Sequence, residues 1–70
     1  MKDFRTIIEE LKMYLANGKE RKILDKDVSN ILQINQARFA TMKKRNVTPY
    51  EDILLFCQRE GLCCSKIFFD

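Results

Sequence analysis

Asp25 to Arg45, DKDVSNILQINQARFATMKKR, is the stretch whose reading decides the fold. Apolar residues fall at Val28, Leu32, Ile34, Phe39 and Met42, while Gln36, Arg38, Thr41, Lys43, Lys44 and Arg45 form a polar face. That spacing predicts a short helix, a tight turn and a second helix. The first helix would bury Val28, Ile31 and Leu32, and Ser29 supplies a small side chain where the two helices cross. Ile34 would plug the turn, and Phe39 with Met42 would be the buried i, i+3 pair of the second helix. Gln36, Ala37, Ala40, Thr41 and Lys44 are left pointing outward.

This is the layout of a DNA-binding helix-turn-helix, and the charge distribution supports it. From Val28 to Tyr50 there is no Asp or Glu, while Arg38, Lys43, Lys44 and Arg45 give a local charge of +4. Residues 1–27 carry seven bases against six acids, and residues 51–70 carry two against four. The net charge of +3 therefore arises in the second helix and its exit, where phosphates would be neutralised. The competing reading is a solvated basic face on an ordinary bundle.

Within the motif, Asp25 is expected to cap the first helix, with Asp27 favoured in its first turn by the helix dipole. Asn35 is expected to cap the second, a recognition helix at about residues 35–45. Gln36 then stands in the first turn, where a glutamine can make two parallel hydrogen bonds to adenine, and Thr41 can meet a thymine methyl or a phosphate. Lys43, Lys44 and Arg45 lie at the helix C-terminus, where cations also complement the dipole. Gln33 occupies a turn position that ordinarily needs a positive φ angle and is commonly Gly; a side chain there costs about 1 kcal/mol.

Outward from the motif, Asp3 is expected to cap a helix running to about Ala16, with Phe4, Ile7, Ile8, Leu11 and Leu15 on one face. Asn17-Gly18 ends it, since Gly readily takes the left-handed conformation of a helix C-cap. Lys19 to Leu24 reads as a connector, anchored by Ile23 or Leu24. Its cations Lys19, Arg21 and Lys22 are expected to be solvated. Asn46 can end the recognition helix. Thr48-Pro49-Tyr50-Glu51 then reads as a start signal in which Thr48 caps, Pro49 takes the first helical position and Glu51 closes a capping box. That helix runs to about Glu60 before Gly61. It is expected to bury Tyr50, Ile53, Leu54, Phe56 and Cys57, leaving Leu55 over. Cys63 would cap a last helical turn or two, whose Ile67, Phe68 and Phe69 fold back on the core or meet a second subunit.

Seventy residues allow one domain, 1–70, with one small core. Hydrophobic residues at 46% and charged residues at 33% fit a globular chain. No apolar run approaches the roughly eighteen residues of a membrane span, and MKDFRTIIEE lacks the pattern of a signal peptide. A cytoplasmic protein with no membrane association is expected. The three cysteines, Cys57, Cys63 and Cys64, suit reduced thiols, and without histidine or a Cys-x-x-Cys pair no metal site is expected. The absence of histidine, of a Gly-rich phosphate loop and of a nucleophile elbow argues against an enzyme. No cofactor or small-molecule substrate is implied.

Residues 25 to 70 resemble the helix-turn-helix domain of phage CI-type repressors, within the lambda-repressor-like superfamily. The resemblance rests on Leu32-Gln33-Ile34-Asn35-Gln36, on Lys43-Lys44-Arg45-Asn46-Val47-Thr48-Pro49-Tyr50, the most specific piece, and on Gly61-Leu62 to Ile67-Phe68-Phe69. It implies an all-α fold of four or five helices and operator binding through the third helix, usually as a dimer. By position, Asn35, Gln36, Ala37, Thr41 and Lys44 fall where that family reads bases, and Lys43 and Arg45 near the backbone. Two departures are Gln33 in place of Gly and Lys66 where a large aromatic is frequent, and a third is expected in that no C-terminal oligomerisation domain follows Asp70.

The expectation is a sequence-specific transcriptional regulator acting on double-stranded DNA. Gln36, Thr41 and Lys44 would read bases, and Arg38, Lys43 and Arg45 would hold the backbone. Assembly is expected as a weak homodimer, or a monomer that pairs only on DNA, with Phe69 and Leu55 at the contact. The alternative is a protein-interaction module on the same fold, using Leu55 and the Ile67-Phe68-Phe69 tail.

Overall fold

Asp3 starts the first helix as its spacing predicts: the Thr6 backbone N–H donates to Asp3 Oδ1 at 2.8 Å, closing an orphan donor of α1, Phe4–Ala16. In this computed structural model, which describes residues 1–69, four further helices follow: α2, Asp25–Ile31; α3, Gln36–Arg45; α4, Tyr50–Glu60; and α5, Cys64–Phe68. The described residues form an all-helical, five-helix bundle. It measures 28 × 25 × 20 Å.

Two helices, α1 and α3, end on asparagine. Asn17 ends α1 at φ 52°, with Gly18 beside it also left-handed, and Asn46 ends α3 at φ 55°. Asparagine tolerates this region better than other side chains because it bonds locally to the backbone. Gly61 ends α4 in the same conformation.

The core is built by Phe4, Ile7, Ile8 and Leu11 of α1 against Val28 and Leu32, Ile34 in the turn, Phe39 of α3, Ile53, Phe56 and Cys57 of α4, and Ile67 and Phe68 of α5. Full burial of such a side chain stabilises by about 1.5–3 kcal/mol. Phe4 and Phe39 meet edge to face, with ring centroids 5.5 Å apart, so α1 and α3 share this part of the core. The C-terminal segment folds back onto this core, and Lys2 N–H donates to the Phe68 carbonyl at 2.8 Å. Ile23 of the connector is half-buried against the core, whereas Leu24 is exposed.

Several local expectations need correction. Asp25 does not cap α2: Leu24 holds the cap position, and Asp27 Oδ2 accepts its N–H at 2.9 Å. Thr48 likewise makes no capping bond to α4. Pro49 is itself the cap residue, buried, with its carbonyl accepting from Ile53, so the helix begins at Tyr50 and the capping box is not formed. On α4 the buried residues are Ile53, Phe56 and Cys57, while Tyr50 and Leu54 stand exposed beside Leu55. Tyr50 covers Phe68 instead, with ring centroids 5.4 Å apart. Ile31, Met42 and Leu15 are half-buried against the core.

Candidate nucleic-acid interface

The turn between α2 and α3 sets the direction of α3. Gln33 takes φ 57°, the left-handed conformation, and the Ile34 N–H donates back to the Ser29 carbonyl at 2.9 Å. Ile34 is thereby driven into the core at 4% exposure. Ser29 is fully buried at the helix crossing, and its hydroxyl donates to the Lys26 carbonyl at 2.8 Å. A larger residue there would push the helices apart, and an unpaired hydroxyl would cost about 1–3 kcal/mol.

Asn35 then caps α3. Its Oδ1 accepts the N–H of Ala37 at 2.8 Å and of Arg38 at 3.4 Å, leaving its amide NH₂ facing solvent. With Phe39 buried and Met42 half-buried, the opposite arc exposes Gln36, Ala37, Ala40, Thr41, Lys44 and Arg45. The Thr41 hydroxyl donates to the Ala37 carbonyl at 3.0 Å, so its methyl and lone pairs remain for a ligand.

Two cations expected to hold a DNA backbone are engaged within the protein. Lys43 Nζ lies 2.6 Å from Asp25 Oδ2, and Lys12 of α1 lies 2.8 Å from Asp25 Oδ1. Hydrogen bonds from Lys12 and Lys43 lower the Asp25 pKa, outweighing the desolvation that would raise it. On the other flank Arg38 lies 3.6 Å from Asp52 of α4. Tethered on both flanks, α3 presents a fixed arc between them. Among the described residues, Lys44 and Arg45 have no ion-pair partner in the fold.

A contact with no signature in the sequence pattern is made by Arg5. Its Nε and Nη2 donate to the carbonyls of Lys43 and Lys44, at 3.3 and 3.2 Å, at the end of α3. Those carbonyls carry the negative end of the helix dipole. Arg5 thus joins α1 to the helix that bears the cations.

The thiols lie apart from this arc. Cys57 is buried, and desolvation, then its contact with the Cys64 thiol, pushes its pKa up to about 12. Cys63 is exposed at the start of α5; a hydrogen bond with Ser65 Oγ at 3.0 Å, followed by the backbone N–H groups of Lys66 and Ser65, lowers its pKa. Among the described residues no helix is long and apolar enough to cross a membrane, and no group of three or more side chains could hold a metal ion. Compared with family models, curated proteins and solved structures, the chain matches none.

Proposed function

We propose that this protein is a sequence-specific DNA-binding transcriptional regulator, with α3 lying in the major groove of a duplex. The observation that carries this reading is the α3 arc itself: Gln36, Ala37, Thr41, Lys44 and Arg45 are exposed together on a helix whose remaining faces are fixed by core packing and by ion pairs. A major groove about 12 Å wide admits one helix, and rigid placement is what turns side chains into base readers. Gln36, Thr41 and Lys44 contact bases; Arg45 meets the backbone, joined by Arg38 and Lys43 insofar as phosphates draw them from Asp52 and Asp25. The resemblance of residues 25–70 to CI-type repressor domains points the same way.

Two copies pair on a palindromic site, their α3 helices in successive major grooves roughly 34–36 Å apart. Phe69 and Leu55, exposed at 52% and 49%, are the contact residues in this reading. Selection of bound sequences from a random duplex pool tests the proposal: enrichment of one motif supports it, and no retained sequence overturns it. A second reading, a protein-interaction module, is favoured by the exposed apolar residues Tyr50, Leu54, Leu55 and Phe69. It predicts no duplex binding and loss of a protein partner on Leu55→Ser.

A further inference from the structure

Beside the exposed arc of α3 lies a groove of about 370 Å³, open to solvent, formed where α1, α2 and α3 meet. Four of its lining residues are cations: Arg5 from α1, Lys26 from α2, and Lys43 and Lys44 from α3. Its one carboxylate, Asp25, is held between Lys12 and Lys43. Among the described residues the ammonium groups of Lys26 and Lys44 have no hydrogen-bond or ion-pair partner. Arg5 spends its Nε and Nη2 on α3 and keeps the two N–H groups of Nη1 for another acceptor. Gln36, the first residue of α3, and Ala40 complete the same wall, so whatever occupies the groove adjoins the base-reading residues.

We infer that this groove seats a backbone phosphate of the DNA duplex, clamped by Arg5 and Lys26. The inference rests on the DNA-binding reading and extends the interface from α3 onto the first two helices. A phosphodiester is the occupant that matches two cations, Arg5 and Lys26, lining one groove whose carboxylate is already neutralised. Ala40 leaves room for a sugar-phosphate chain to approach the helix. Arg5 couples the two roles: the side chain that fixes the end of α3 also holds the phosphate, so strand position and the register of Gln36 are set together.

The test is the salt dependence of affinity for a short mixed-sequence duplex, measured by fluorescence anisotropy. It compares wild type with Lys26→Gln, Arg5→Gln and Lys66→Gln, the last a control on α5 outside the groove. Each lost phosphate contact should make the slope of log affinity against log salt shallower by about 0.9. That change is expected for Lys26→Gln and Arg5→Gln and not for Lys66→Gln. Lys26 is exposed and makes no side-chain contact that folding needs, so its variant decides the matter even if Arg5→Gln shifts α3. A wild-type slope in Lys26→Gln, with wild-type binding intact, overturns the groove and leaves the DNA-binding reading standing. No salt-dependent binding by wild type overturns both. Displacement of the duplex by inorganic phosphate, beyond that caused by chloride of equal ionic strength, makes the groove a free-phosphate site and overturns the inference.

Discussion

Lys43 of α3 is bonded to Asp25 of α2 at 2.6 Å, which makes it a strut between the two helices. Both side chains remain more than a third exposed, so solvent screening holds the pair to about 1 kcal/mol or less. A double-mutant cycle with Asp25→Asn and Lys43→Gln should give a coupling of about 0.3–1 kcal/mol in unfolding free energy. Because the folded Asp25 pKa lies below its ordinary 3.8, this stabilisation is present above 3.8 and is lost as pH falls through the folded value. Asp25→Asn should therefore flatten the acid limb of stability against pH. An unchanged limb would show that the pair contributes nothing.

Gln33 holds φ 57° where glycine would rest without strain. Gln33→Gly should raise stability by about 0.5–1 kcal/mol, the relief of strain exceeding the added freedom of the unfolded chain. Gln33→Val, β-branched, should lower it. Urea unfolding of both variants gives the comparison; a glycine variant less stable than wild type would mean that the Gln33 side chain contributes contacts outweighing its strain.

Reading and holding should separate on α3. Gln36→Ala is expected to weaken binding to the preferred sequence by about 1–3 kcal/mol and to relax discrimination at one base pair. Arg45→Ala should weaken binding to all sequences alike, and so should Lys43→Ala, through loss of the strut and of a cation. Equal losses for Gln36→Ala on preferred and random duplexes would remove it from base reading.

The thiols give a check on the register of α4 and α5. Cys63, exposed with a lowered pKa, should react fastest with a thiol reagent, and buried Cys57 slowest. Cys57 keeps its proton in the fold to about 12, against an ordinary 9.0. Its stabilising contribution is complete below 9.0 and is lost as pH rises towards 12. Cys57→Ser should blunt that alkaline loss, and mass-resolved labelling that finds Cys57 first would place α4 in another register.

The sequence alone determined what depends on neighbours along the chain. Asp3 and Asn35 as caps, Asn46 and Gly61 as stops, the strained turn at Gln33, the plug at Ile34 and the small Ser29 at the crossing were all legible, because each follows from local backbone geometry or helical periodicity. Only the tertiary structure decided which way an ambiguous helix turns and which charges meet. Ile53 to Cys57 is an unbroken apolar run, so its pattern is compatible with several rotations of α4. Packing against the core chose Ile53, Phe56 and Cys57 and left Tyr50, Leu54 and Leu55 outside. The stretch from Val28 to Tyr50 contains no acid in sequence, yet in space Asp25 stands against Lys43 and Asp52 against Arg38, while Arg5 reaches the end of α3 from α1. Charge interacts through distance, and crossing helices make neighbours of residues that the order of the chain keeps apart.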